Sequence, residues 1–292
     1  MRRTWSNLER PRVVLLGPGD RAAVRAEVAR LLPVIEQRSE VVAVDWDFAV
    51  DLPALDFDLA IVFGGDGSIL RASRQMGLRQ RPVLGVNLGK LGFLADLSPA
   101  EFLEAWPEVV RGGFGVAEHL MFDCTLLRDG VETCRTLGLN ETAILGGPPY
   151  SILDIELYVD AELATTYSCD GLILSTPVGS TAHNLSAGGP ILRKTLPAFV
   201  ISPLNPHTLT VRPVVDDADR VYEIVVPRPH ATTALVVDGR MVTTLGPHDR
   251  VRVERATPKF QLVEVRGHSY YRTLREKLGW SGRIRGGAGR PE

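Results

Sequence analysis

The chain is poor in cysteine, which limits how its fold can be stabilised. Only Cys124, Cys134 and Cys169 occur in 292 residues, and they show no C-x-x-C spacing. An odd, widely spaced set argues against a disulfide framework and a zinc site, and it favours a cytoplasmic protein. The six histidines form no H-x-x-x-H or H-E-x-x-H pair, so no metal site built by the protein alone is expected.

Long apolar runs and an excess of one charge are also missing. No stretch is apolar and long enough for a signal peptide or a membrane span, so a protein of the cytoplasm is expected. The 33 basic and 35 acidic residues nearly cancel and form no long run of one sign, so neither nucleic acid nor a membrane is an expected partner. The length suits two domains of unequal class.

The hydrophobic pattern changes once along the chain. The first hundred or so residues alternate β-branched runs with helical patterns, which predicts a Rossmann-like α/β domain with a parallel sheet. From about His119 the period is two, and this predicts a β-rich domain. SYYRTLREKLGW predicts a final helix that returns to the first domain. We therefore predict an α/β domain of residues 1–117 plus 268–292 and a β-rich domain of residues 118–267.

Individual elements follow from the same patterns. A helix is predicted at PAEFLEAWPEVV, interrupted by Pro107, and a hairpin turn at Asp129–Gly130. The remaining strands of the second half are predicted at ILDIELYV, DGLILSTP, HTLTVRPVV, RVYEIVV, ATTALVVDG, RVRVER and QLVEVR.

A glycine-rich segment follows the third predicted strand and opens a helix. It comprises Gly64, Gly65, Asp66, Gly67 and Ser68. Glycines let backbone N–H groups approach phosphate oxygens, and a helix N-terminus favours anions, so a phosphate loop is predicted. The Asp66 carboxylate is placed to accept a proton from an attacking hydroxyl. An ordinary Asp-Gly turn is the alternative.

Three later segments carry further candidate ligands. Phe93, in a second glycine-rich stretch, either lines a base pocket or is a core aromatic. Asn140–Glu141 offers an amide and a carboxylate for sugar hydroxyls, although strand ends often carry such pairs. The long segment 169–190 supplies donors and acceptors suited to adenine and ribose. These are Ser180, Thr181, His183, Asn184 and Ser186.

A competing dinucleotide motif occurs near the N-terminus. The segment Gly17–Ala22 matches G-x-G-x-x-A, and Asp45 and Asp47 end the second predicted strand. The pattern is short, Pro18 stiffens the turn, and the acidic residues lie beyond the usual offset. We interpret this match as turn chemistry rather than as a dehydrogenase site.

Taken in order, the motifs resemble the NAD kinase family. They are GGDG, GVNLGKLGFL, LNETAIL, DGLILSTPVGSTAHNLSAGGPIL, ISPLNPHTLTVRP and VDGR. GGDG alone is shared with lipid kinases of the diacylglycerol and sphingosine type, which leaves a lipid kinase as one alternative and a non-catalytic NAD-binding regulator as another. The resemblance implies transfer of a phosphoryl group from ATP or polyphosphate to the adenosine 2′-hydroxyl of NAD. It also implies a divalent metal, expected to be Mg²⁺ bound with the donor, and a homodimer or homotetramer.

The resemblance also carries over residue by residue. Asp66 matches the catalytic aspartate, and Asp170 matches an aspartate that in some members reaches the nicotinamide end from a neighbouring subunit. Two positions depart from the common pattern: Val178 replaces Thr or Ser, and His183 replaces Tyr, which bears on nucleotide affinity because imidazole can become charged near neutral pH. The expected substrate-binding residues are Gly67, Leu70, Phe93, Asn140, Glu141, Asp170, Thr181, Ala182, His183 and Ser186.

Overall fold

A computed structural model describes residues 10–89, 92–95, 97–148, 151–265 and 270–279. Its N-terminal part alternates strands and helices, as predicted. The strands are β1 (Arg12–Leu16), β2 (Glu40–Asp45), β3 (Leu59–Phe63) and β4 (Val83–Val86), and the helices are α1 (Ala22–Arg38), α2 (Asp66–Met76) and α3 (Pro99–Val110). The four strands are parallel in the order β2-β1-β3-β4, so the predicted parallel sheet is confirmed.

The second part of the chain is rich in strands. They are β5 (Gly115–Arg128), β6 (Val131–Gly138), β7 (Glu141–Leu145), β8 (Leu153–Val159), β9 (Glu162–Cys169), β10 (Gly171–Ser175), β11 (Ala198–Leu204), β12 (Val214–Asp217), β13 (Tyr222–Val225), β14 (Ala234–Val237), β15 (Arg240–Thr244) and β16 (Arg250–Glu264). A short helix, α4 (His183–Ser186), follows β10, and α5 (Tyr270–Leu278) follows β16. One core between the sheets contains Phe122, Leu172, Phe199 and Tyr222.

The strands form two sheets, and one of them crosses the predicted domain boundary. The ten-stranded sheet runs β2-β1-β3-β4-β16-β13-β8-β9, with β5 and β6 attached through β16, and the six-stranded sheet runs β12-β11-β10-β7-β14-β15. Leu262 of β16 pairs in parallel with Val83 of β4. The boundary at residues 117–118 therefore stays a prediction. Of the predicted first domain, residues 1–9, 90, 91, 96, 268, 269 and 280–292 lie outside the described residues.

Prolines lie at three places where the observed elements differ from the predicted ones, and the strands β9 and β15, which contain no proline, were not predicted. Helix α3 continues through Pro107, because the buried Trp106 and Val109 hold its last turn against the core. HTLTVRPVV is not one strand: residues 207–213 are irregular with a turn at 209–210, and β12 starts after Pro213. RVRVER and residues 261–264 of QLVEVR belong to one strand, β16, whose register shifts between Arg255 and Lys259. Residue 266 lies outside the described residues.

Helix α5 returns to the first part of the chain, as predicted. The Lys277 ammonium lies 4.1 Å from the centre of the Phe93 ring, and Arg272 lies 3.8 Å from Glu101 of α3. Cys124, Cys134 and Cys169 are all unpaired. Within the described residues, no helix combines the length and apolar character that a membrane crossing requires.

Candidate active site

Segments that are far apart in the sequence meet in one apolar cluster. Because Ile69 lies one turn after Asp66, and Leu139 directly precedes Asn140, this cluster brings the candidate motifs together. Its members from these motifs are Ile69, Ala72, Leu94, Ala95, Leu139 and Val178. Leu70 packs against the same cluster and is half-buried.

Asp66 is the first residue of α2, at the carboxyl edge of the parallel sheet. Its half-buried carboxylate accepts backbone N–H groups from Phe93 (2.8 Å), Leu94 (2.9 Å) and Ala95 (3.1 Å). A carboxylate offers about four acceptor positions, so one position is left for a ligand hydroxyl. The structure thus joins the two glycine-rich segments through this one side chain.

The glycines around Asp66 differ in what an added side chain would meet. Gly64 has a φ of 138°, which disfavours other residues, and a Cβ there would overlap the Ser68 hydroxyl. A Cβ on Gly92 would overlap the Asp66 carboxylate. In contrast, a Cβ on Gly65 or Gly67 would meet no atom of the described chain within 4 Å. Open space at Gly65 and Gly67 suits the close approach of a phosphate.

Phe93 is half-buried and connects three elements. Its backbone N–H donates to Asp66, and its carbonyl accepts from the Lys194 ammonium. The Lys277 ammonium lies over one face of its ring. This position fits neither a simple core aromatic nor an open platform. It ties the loop at Asp66 to α5.

Asn140 and Glu141 lie at the start of β7 and are buried, with 9% and 5% exposure. Asn140 Oδ1 and Glu141 Oε2 have no hydrogen-bond partner among the described residues. Burial, together with the nearby Asp238 carboxylate, raises the pKa of Glu141 to about 8. A buried polar group without a partner costs free energy, so these two atoms are candidates for ligand contacts.

Asp238 is a site residue that the sequence analysis did not single out. It lies in the turn between β14 and β15, and its carboxylate accepts the N–H groups of Leu139, Asn140 and Glu141 at 2.7–3.2 Å. Burial raises its pKa, while these three N–H groups and Arg74 act against that rise. Only the VDGR motif and its Asp-Gly turn signalled this residue.

Three arginines form a second feature that the sequence analysis missed. Arg71, Arg74 and Arg240 line a cavity of about 430 Å³ together with Phe48 and Gln75. Burial and the charges of Arg240 and Arg71 lower the pKa of Arg74, while Asp238 opposes this shift. The cavity is therefore strongly positive and suited to phosphate.

The loop after β10 divides into structural and accessible residues. Ser180 bonds to Pro177 and Leu192, and the fully buried Asn184 bonds to Ser180, Pro190 and Ser202. These two side chains hold the loop rather than face a ligand. Val178 belongs to the core at 3% exposure, which accounts for an apolar residue there. Thr181, Ala182 and His183 are half-buried, and Ser186 is exposed.

Asp170 lies apart from the other candidates within one chain. It precedes β10, whereas Glu141 pairs with Ser175 at the other end of that strand. Five residues of strand separate the two ends by about 16 Å. Asp170 is exposed and accepts a hydrogen bond from Asn205 at 2.8 Å.

The alternative dinucleotide motif is occupied by structural contacts. A Cβ on Gly19 would lie 2.7 Å from that of Trp46, so this glycine serves chain packing. The buried Asp45 accepts from the N–H groups of Asp47 and Val50 and from Gln75. The carboxylate oxygens of Asp45 are therefore bonded within the fold, as expected for a turn residue rather than for a dinucleotide ligand. Across the described part of the chain, no three His, Cys, Asp or Glu residues are grouped to hold a metal ion.

Comparisons with known proteins agree with these features. Two family models match: the ATP-NAD kinase N-terminal domain over residues 23–114 and the ATP-NAD kinase C-terminal domain over residues 139–265. An NAD kinase of Rhodopirellula baltica is 56% identical over 96% of this chain and 90% of its own length. An NAD kinase of Geotalea daltonii is 40% identical over 77% of this chain and 80% of its own length.

Two solved structures share the fold. Yeast NADH kinase complexed with NADH matches with a TM-score of 0.82 at 22% identity, over 96% of this chain and 90% of that one. An NAD kinase from Archaeoglobus fulgidus in complex with ATP matches with a TM-score of 0.72 at 24% identity, over 92% of this chain and 97% of that one.

Proposed function

The chain belongs to the NAD kinase family, and we propose that it phosphorylates the adenosine 2′-hydroxyl of NAD with Asp66 as the general base. The observation that carries this proposal is the position of Asp66. It begins a helix beside an open glycine loop, and Ile69, one turn further on, belongs to the apolar cluster that also holds Leu139, the residue before Asn140–Glu141. A carboxylate with one acceptor position left can orient a hydroxyl and take its proton during in-line transfer.

The phosphates would be held by two features of the same region. Gly64, Gly65, Gly67 and Ser68 would surround one phosphate at the N-terminus of α2, and the arginine cavity would neutralise the others. Arg74 follows Asp66 by eight residues, which corresponds to about 12 Å along the helix. Since no protein metal cage is present among the described residues, Mg²⁺ would be held mainly by the phosphates of ATP or polyphosphate.

The dinucleotide would lie along the loops that meet at the shared cluster. Asn140 and Glu141 offer unpartnered buried atoms, and Phe93 lies beside Asp66. The remaining proposed contacts are Gly67, Leu70, Thr181, Ala182, His183 and Ser186. Asp170 lies at the other end of β10 from Glu141 and is exposed. Following the family resemblance, we assign it to the site of a neighbouring subunit in a homodimer or homotetramer. The unpaired cysteines favour a cytoplasmic enzyme.

Product analysis with a panel of acceptors tests this function. The purified protein, with Mg²⁺ and either ATP or polyphosphate, is offered NAD, NADH, diacylglycerol and sphingosine. We expect NADP from NAD and no phosphorylated lipid. Phosphorylation of a lipid in place of NAD would identify the lipid kinase alternative, and NAD binding without any product would identify the regulator.

A further inference from the structure

The Glu141 side chain is buried beside a second carboxylate and has no compensating cation. It is 5% exposed, its Oε2 has no hydrogen-bond partner among the described residues, and it forms no ion pair there. An ionised carboxylate in such surroundings costs far more free energy than a neutral one. The protonated form removes this cost and leaves an O–H group that can donate a hydrogen bond.

Asp238, and not Glu141, accepts the backbone donors of this segment. The N–H groups of Leu139, Asn140 and Glu141 itself all point to the Asp238 carboxylate. Arg74 adds a positive charge on the side of Asp238. The two carboxyl groups therefore differ in their surroundings. Asp238 has hydrogen-bond donors and a nearby cation that stabilise an ionised carboxylate, and Glu141 has neither.

From this asymmetry we infer that Glu141 binds the dinucleotide as a neutral carboxylic acid, donating a hydrogen bond to a hydroxyl oxygen or ring nitrogen of the adenosine. This inference rests on the proposed function, and it fixes the kind of ligand atom that Glu141 recognises. An acceptor atom satisfies the O–H group, whereas an anionic group of the ligand would add repulsion from Asp238.

The ionisable groups near Glu141 and Asp238 determine which of the two carboxyl groups loses its proton as the pH rises. Asp238 is the charged group whose field acts on Glu141. Arg74 faces Asp238 from α2, and Arg240 and Arg71 face Arg74. Cys124 of β5 is buried, and its raised pKa keeps the thiol neutral. Burial raises the pKa of Asp238 as well, but its three N–H donors and Arg74 oppose that rise, so within the described residues Glu141 is the member of the pair that is expected to carry the proton.

Binding of NAD at different pH values tests the inference in the full chain. Titration calorimetry with NAD and no phosphoryl donor is run from pH 7.5 to 9.5 on the wild type, Glu141→Gln and Glu141→Ala. Glutamine keeps a donor and cannot ionise. We expect Glu141→Gln to bind within about threefold of the wild type at pH 7.5, and Glu141→Ala to bind at least tenfold more weakly.

The pH profile separates a neutral acid from a carboxylate. As the protonated fraction falls, the wild-type affinity is expected to fall by about tenfold per pH unit above the midpoint, while that of Glu141→Gln stays level. Glu118→Gln, at a half-exposed glutamate on β5, is the control and should follow the wild type. A level wild-type profile, or a folded Glu141→Gln as weak as Glu141→Ala at pH 7.5, would overturn the inference. NADP formation by the wild type tests the proposed function separately.

Discussion

Two aspartates each collect three backbone N–H groups from consecutive residues of a distant segment. Asp66 holds residues 93–95, and Asp238 holds residues 139–141. In both cases the segment carries proposed substrate contacts. Hydrogen bonds to an ionised acceptor are stronger than neutral ones, so each aspartate fixes its segment for ligand binding.

Asp238→Asn is expected to weaken NAD binding more than turnover. The amide group of asparagine must face at least one of the three N–H donors, so the hold on Asn140–Glu141 is lost in part. We expect the free energy of unfolding to fall by about 1–3 kcal/mol and the KM for NAD to rise, with a smaller change in kcat. Asp129→Asn is the matched control, because Asp129 also precedes glycine in a turn at positive φ but is exposed. Equal effects of both substitutions would refute this role.

His119 predicts how the free energy of unfolding depends on pH. Burial and the Lys194 charge lower the pKa of His119 to about 4, against about 6.5 in the unfolded chain. Between these values the unfolded state binds more protons, so the free energy of unfolding falls as pH falls, by at most about 1.4 kcal/mol per pH unit from this residue. Urea unfolding from pH 7.5 to 4.5 should show a smaller slope for His119→Gln than for the wild type or for His207→Gln, at an exposed histidine. Identical slopes would contradict the assignment.

The sequence reveals the candidate residues unevenly, for a physical reason. Asp66 is predictable because glycines and a strand-to-helix turn surround it. Asp238 and Arg74 are not, because an Asp-Gly turn and a helical arginine have ordinary local patterns. Their roles arise from contacts with residues more than sixty positions away, which no local pattern shows.

At the level of elements, α2 and the loop of residues 92–95 form one unit around Asp66. Gly92 brings the loop against the carboxylate so closely that a Cβ would overlap it and would lie 2.8 Å from the Ala95 carbonyl oxygen. The backbone atoms of this loop are therefore part of the site.

Gly92→Ala is expected to reduce turnover by at least tenfold without unfolding the protein. The added methyl group displaces the loop or rotates Asp66, and small displacements of a catalytic group are costly. The matched change is Gly246→Ala, where a Cβ makes ordinary contact with Asp249 at 3.7 Å. Steady-state rates and thermal unfolding of both variants measure the effect. A fully active Gly92→Ala would show that the loop does not position Asp66.

Periodicity predicted most elements, and prolines mark several of the failures, whereas β9 and β15 contain no proline and were also not predicted. Strands β1 to β4 and helix α2 follow from buried runs and an amphipathic pattern. Strand β11 contains Pro203, which normally argues against an inner strand, yet β11 lies between β10 and β12. Pairing on both sides and burial of Phe199, Val200 and Ile201 outweigh the local signal there.

For the whole molecule, the continuous ten-stranded sheet sets the geometry of the site. Strand β16 pairs with β4, β5 and β13, so it links the parallel sheet to the β-rich part. Local patterns predicted both parts but not this link, because it depends on pairing between distant strands. The pairing of β16 with β4 brings the glycine loop and the residue pair Asn140–Glu141 to the same apolar cluster.

Mixing two inactive or weakened variants tests the proposed role of Asp170 between subunits. Asp66→Asn removes the proposed base of a chain's own site, and Asp170→Ala removes the proposed contribution to a neighbour's site. Hybrid oligomers, formed by mixing and renaturing the two variants, contain some sites with both residues intact. We expect the mixture to be more active than either variant alone. No gain, with mixed oligomers confirmed by mass spectrometry, would place Asp170 outside the partner's site.

The central claim is that the Asp66 carboxylate takes the proton of the adenosine 2′-hydroxyl. Its most direct test measures NAD affinity and NADP formation in parallel for the wild type, Asp66→Asn and the exposed control Asp20→Asn. The amide of Asp66→Asn must face at least one of the three N–H donors of residues 93–95, so we predict a folded variant with a rise in the Kd for NAD like that of Asp238→Asn. Its turnover is expected to fall much further, by about 10²–10⁴-fold, while Asp20→Asn changes neither. Ordinary turnover by a folded Asp66→Asn would contradict the account.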